Sequence, residues 1–219
     1  MNVTLHRLDE LEVPQGAMKE ALRAVLHTIL FSRALGPVIP VEQRSAVLGD
    51  VCYLKSGDVS RGRPSVEVEK TVEESIEHFC HSLRPVGPEL ARGKLVLSFY
   101  ERRSRKTFFA SFSNAKEKVY WEQWDIPVLV NLTPQATGVD AAAATERERT
   151  LQQVRDNVRE ALFKVIELVN ESSDHIPPTS YHSDAAIAFP FEITVPRNKD
   201  AAESWLTKML HSGPMSLAG

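Results

Sequence analysis

The sequence predicts an α+β domain, an antiparallel sheet with three main helices packed against it. Three observations lead there. Three stretches repeat apolar residues at helical spacing, and Gly or Pro closes each of them. Short β-branched and aromatic runs lie between them, and two of these runs follow each other with only a loop between. Strands joined directly, with the helices widely spaced, pack most naturally as an antiparallel sheet covered by helices on one face.

The elements follow in order. Met1 to Val13 mixes β-branched residues and Leu and reads as a strand or strand pair, with Pro14-Gln15-Gly16 as a turn. Ala17 to Leu35 reads as a helix whose main stripe is Met18, Ala21, Leu22, Val25 and Ile29. Leu26, Leu30, Phe31 and Leu35 spread apolar surface around much of the rest, so this helix should be covered on several sides. Gly36-Pro37 stops it. Val38 to Leu54 reads as a strand or hairpin, and Lys55 to Pro64 as a polar loop. Ser65 then caps a second helix running to about Leu83, with Glu67 and Glu69 near its positive end and Val68, Val72, Ile76, Phe79 and Leu83 as its stripe.

Lys94 to Tyr100 reads as a strand. Glu101 to Lys118 has neither period: it begins basic and then offers three Phe residues. Val119 to Leu132 resumes strand character, with Pro127 pointing to an edge or a bulge. After a Pro/Gly/Ala connector, Thr145 and Glu148 form a capping-box pattern that opens a long helix to about Asn170. Its stripe is Leu151, Val154, Val158, Ala161, Leu162, Val165 and Val169. Ala186 to Val195 is a further strand, with Pro190 arguing for an edge. Asp200 to Leu210 is a short helix, and residues 212–219 form a flexible tail.

Composition narrows the function. At 219 residues, 42% apolar and 25% charged, the chain can bury a core without disulfides or metal. A net charge of −3 argues against a nucleic-acid binder driven by bulk charge. Cys52 and Cys80 alone exclude a disulfide scaffold and fit a reducing compartment. No stretch reaches the ~18 apolar residues of a membrane span, and the charged first residues do not form a signal peptide, so a cytoplasmic protein is expected.

The motifs of nucleotide-binding loops, dinucleotide folds, serine hydrolases and zinc proteases are missing. His78, Cys80 and His81 share a helix, but no second ligand pair accompanies them, and surface histidines beside a half-buried Cys explain them as well. Arg102, Arg103, Arg105 and Lys106 suit a membrane surface or RNA, or a loop kept soluble by charge. Phe108, Phe109 and Phe112 either fold back into the core or form an exposed partner site. On a helical wheel Phe163 lies about 120° from Leu151, outside the apolar stripe and beside Gln152 and Arg159. An aromatic between polar residues there is an interface anchor, unless another element of the chain covers it.

Several segments then resemble one family. Residues 22–33, Leu-Arg-Ala-Val-Leu-His-Thr-Ile-Leu-Phe-Ser-Arg, resemble the first helix of the autophagy-related protein 101 family. Leu97-Ser98-Phe99-Tyr100 with the basic run to Arg105 resembles the strand leading into its finger loop, and Trp121-Glu122-Gln123-Trp124 resembles its W-E-x-W strand. The long helix and Ile176-Pro177-Pro178 follow in matching order.

The resemblance implies a single HORMA domain over residues 1–211, with a finger loop at about 102–118. It implies a non-enzymatic adaptor of the autophagy-initiation kinase complex, without a cofactor. Such a protein works in the cytoplasm and at the phagophore assembly site. The implied partner is the HORMA domain of autophagy-related protein 13, which it pairs with and stabilises. Gln152, Arg159 and Phe163 would lie at that interface. Phe108, Phe109 and Phe112 of the finger would recruit downstream autophagy factors. No nucleic acid and at most a peripheral membrane contact are implied. Animal members read W-P-F in the finger, where Lys106-Thr107-Phe108-Phe109 stands here. The segment after the long helix is short, which suggests a locked conformation. The alternative is another HORMA-type adaptor that clasps a peptide with its C-terminal belt.

Overall fold

The computed structural model describes residues 3–36, 38–59, 62–104, 116–134, 141–171, 173–178 and 189–196. Phe108, Phe109, Phe112, the helix expected at 200–210 and the tail at 212–219 lie outside them. The fold is α+β, with three helices and two sheets among the described residues.

The chain is organised around helix α1 (Gln15–Ser32). Ala24, Val25, Leu26 and His27 are consecutive and all buried, so the helix has no wet side over this turn. As its apolar wheel predicts, it is covered from several directions. It packs against β2 (Leu11–Pro14), β4 (Cys52–Asp58), α2 (Val66–Ser82), β8 (Lys116–Asn131) and α3 (Ala141–Glu171). The expected turn at 14–16 is instead the helix start. Pro14 is the N-cap at φ −71°, and a ring that already holds this angle and lacks an N–H suits a helix entrance.

The larger sheet runs β1-β8-β7-β6, with β2 also beside β8 and β9 beside β7. These strands are β1 (Thr4–Arg7), β6 (Arg84–Pro85), β7 (Leu90–Ser104) and β9 (Phe191–Thr194). It is not wholly antiparallel as expected: β1 and β2 both run parallel to β8. Parallel neighbours need a long crossover, and α1, the smaller sheet, α2 and β7 all lie between these strands and β8. Pro127 is neither on an edge strand nor at a bulge. Arg7 faces Asp125 and Leu11 faces Val128, so Pro127 falls in the gap between the two parallel partners, where no ladder donor is required. The bulge lies further up: Phe99 faces Glu122 and Tyr100 faces Tyr120, which makes Trp121 the extra residue.

Two other boundaries move. The two ends of the aperiodic segment are strand, since Arg102, Arg103 and Ser104 pair with Lys118, Glu117 and Lys116. The long helix starts at Ala141, ahead of Thr145, whose hydroxyl donates to the Ala141 carbonyl at 2.8 Å and therefore caps nothing. The four-Ala run has the highest helix propensity available and carries the helix past the capping-box pattern.

The smaller sheet, β3 (Val38–Arg44), β4 and β5 (Arg63–Pro64), is antiparallel and lies against α1 through β4. Its strands extend through part of the expected 55–64 loop. Here the buried His27 ring stacks on Tyr53, with centroids 5.9 Å apart. Helix α2 sits where β7 has no side chain. A Cβ on Gly93 would stand 2.5 Å and 2.8 Å from ring carbons of Phe79, which is itself fully buried. Gly93→Ala should therefore lower stability by about 1–3 kcal/mol in urea unfolding, because Phe79 has no room to retreat.

Candidate functional site

The outer face of α3 is the first candidate. The helix turns Val154, Val158 and Val165 inward, all of them buried, against α1 and β2. At 100° per residue Gln152, Asp156, Arg159, Phe163 and Ile166 form a stripe on the opposite side. The three residues singled out from the sequence therefore share one face. Phe163 is 70% exposed and Ile166 47%, so nothing among the described residues covers the aromatic. Ile166 was not readable as part of the site: it becomes notable only because Phe163 beside it is bare.

The stripe changes character along its length. Toward the N-terminus its polar groups are already paired. Gln152 Nε2 donates to Asp156 at 3.0 Å, and Arg159 binds both Asp156 and Asp50 of the β3–β4 turn. Arg155 fastens that turn to the helix by donating to the Leu48 carbonyl at 3.1 Å. Toward the C-terminus the stripe is apolar, flanked by a Lys164–Glu167 pair. The result is a surface with an apolar end and a neutralised polar end, suited to protein contact.

A groove of about 160 Å³ lies between residues 9–12 and α3. Asp9, Glu10, Glu12 and Glu160 line it together with Lys164, and no His, Cys or Ser does. It holds no nucleophile–base pair. His78 and His81 are exposed on α2, and the described residues bring no further metal-ligating group to them.

The second candidate is interior. Glu122 is fully buried, and so is Arg33 beside it at the end of α1. Arg33 Nε lies 2.9 Å from both carboxylate oxygens, and Nη2 lies 2.8 Å from Oε2. Trp124 Nε1 donates to Oε1 at 2.5 Å, and His175 Nε2 stands 2.6 Å from Oε2. An ionised carboxylate only accepts, so His175 carries its proton on Nε2. His6 Nε2 is 3.6 Å away, too far for a hydrogen bond, and its ring packs on Trp124 with centroids 4.3 Å apart.

His6, Glu122 and His175 are the one described group whose donor atoms lie close enough for a metal ion, within 4.8 Å of one another. The guanidinium already neutralises the carboxylate and would repel a dication, so the arrangement is that of a buried ion pair. Sequence reading found the W-E-x-W segment but not this network. The available signal was the alternation that puts Glu122 on the same strand face as Trp124, and a carboxylate on a core face needs donors. Which further donors arrive depends on two other segments, the end of α1 and the 173–178 turn.

The sequence model described as Autophagy-related protein 101 matches residues 10–183. The chain belongs to the autophagy-related protein 101 family. It is 34% identical to the Arabidopsis thaliana member over 232 aligned positions, with all of both chains covered. It is 25% identical to the Xenopus laevis protein of that name, and 24% identical to the Homo sapiens one. Each match covers 82% of this chain and 78% of the relative. Family membership makes this an autophagy protein. Among the described residues no helix is long and apolar enough to cross a membrane.

Acid should weaken this member of the family in two stages. Burial disfavours a charged His27 imidazole, and the Lys55 charge adds to this, lowering its pKa from 6.5 to about 4. The unfolded chain then binds the extra proton between those values, so stability falls as pH drops from 6.5 toward 4. Burial opposes the Glu122 carboxylate, but the Arg33 guanidinium and the hydrogen bonds around it, that of His175 included, outweigh it and lower its pKa from 4.5 to about 2. Its stabilisation, on the order of 3 kcal/mol, is present above the unfolded value and lost as pH falls through the folded one. Urea midpoints measured from pH 7 to pH 3 should decline throughout. His27→Gln should flatten the upper part of that decline and leave the lower part in place.

Proposed function

We propose that this protein is a non-enzymatic adaptor of the autophagy-initiation kinase complex. Its domain is of the HORMA type and pairs with the HORMA domain of autophagy-related protein 13, which it stabilises. It acts in the cytoplasm and, during autophagy, at the phagophore assembly site. Family membership and the α+β arrangement of three helices on a sheet support this reading. The observation that carries it is the bare Phe163, aligned with Ile166, Arg159 and Gln152 on the side of α3 away from the core.

Leaving such a ring in water forgoes roughly 1.5–3 kcal/mol of burial, which a partner surface recovers. The paired charges at the other end of the stripe need no counter-charge from the partner and keep the face soluble when it is free. The hairpin of β7 and β8 carries the finger, in which Phe108, Phe109 and Phe112 recruit downstream autophagy factors.

Co-expression with the HORMA domain of autophagy-related protein 13, followed by light scattering after size exclusion, tests the pairing. A one-to-one complex is the expected result, and a lone monomer beside folded partner removes the proposal. Phe163→Asp should abolish the complex while leaving the thermal midpoint unchanged, because a carboxylate would be desolvated at the contact. Replacing Phe108, Phe109 and Phe112 together by Ser should leave folding and pairing intact and reduce capture of downstream factors in pull-downs. Loss of soluble protein would instead assign those rings to the core.

A further inference from the structure

We infer that Glu122 is a positioning residue: one buried carboxylate ties the C-terminal ends of both α1 and α3 to the sheet, and so sets the pose of the outer face of α3. The statement about pose rests on the docking reading above; the tie does not.

The tie is built from named contacts. Arg33 is the C-cap of α1, and all its contacts to Glu122 lie out of reach of water. Helix α3 ends at Glu171, and residues 173–178 include a turn closed by Ile176 N donating to the Ser173 carbonyl at 3.0 Å. His175 sits inside that turn and delivers Nε2 to the same carboxylate. Its ring lies against Trp121, with centroids 5.9 Å apart, and Ile176 packs on the core. The bulge at Trp121 lets two consecutive residues of β8 meet the same imidazole, one through its ring and one through its carboxylate. Helices α1 and α3 also pack on each other, so a single side chain of the sheet references both members of that pair.

A buried ion pair adds little stability over well-packed apolar residues. What it adds is direction, because donors arriving from α1, β8 and the 173–178 turn satisfy one carboxylate in only one arrangement. Phe163 and Ile166 lie in the last turns of α3, just before the tied end, where a helix end would otherwise fray.

Hydrogen exchange of the full chain, read by mass spectrometry, tests the tie. His175→Phe keeps a ring against Trp121 and removes the donor. Exchange over 165–178 should rise about tenfold or more, while α2 exchanges as before. Glu122→Gln, of equal size but uncharged, should loosen the same segment together with the last turn of α1. Should that variant be insoluble, His175→Phe alone decides. Unchanged exchange over 165–178 in His175→Phe overturns the tie, and so does an equal rise in α2, which would mark a general loss of stability. Pairing with the HORMA partner is measured on the same variant. A several-fold weaker complex supports the statement about pose, and an unchanged complex with raised exchange overturns it. Failure of the docking reading shows separately, as a Phe163→Asp variant that still pairs.

Discussion

A carboxylate cut off from water has to be surrounded by donors, and Glu122 imposes that condition on the centre of this fold. The donors come from the end of α1, from its own strand and from the turn after α3. Those parts are far apart in sequence, so the network closes only when the sheet, the central helix and the last helix are all in place. The surrounding rings of His6, Trp121, Trp124, Phe99 and Phe189 keep the site dry, which strengthens each contact and makes any missing one costly.

Around this point the packing follows from local geometry. The central helix has apolar residues on every side, so it must be enclosed, and two sheets and two helices enclose it. The close approach of α2 depends on Gly93, because Phe79 occupies the space a side chain there would take. The strand β8 accepts Pro127 in its interior because the chain on that side is divided into β1 and β2, with Pro127 opposite the division. A residue that would break most central strands thus marks a change of partner.

The long helix joins this interior to the surface. One face completes the core with Val154, Val158 and Val165, and the other presents Phe163 and Ile166 to solvent. Its polar groups are occupied by one another and by Asp50 of a neighbouring turn, so the exposed surface is preorganised rather than merely charged. The proposed adaptor role calls for this combination, a firm interior edge and an apolar contact surface.

The class of fold, the three helices and the outlying position of Phe163 are legible in the amino-acid order alone. Each of these depends on periodicity within one segment, and the 100° spacing along α3 is the same before and after folding. The resemblance carried by residues 22–33 and 121–124 led to the right family for a similar reason, since both segments are contiguous. The tertiary structure decided what depends on neighbours distant in the chain. It set the parallel pairing of β1 and β2 with β8, and it moved the start of α3 to Ala141. It also brought Arg33, Glu122 and His175 together. Period 2 shows that a carboxylate faces the core, but only the folded chain supplies the donors that make its burial tolerable.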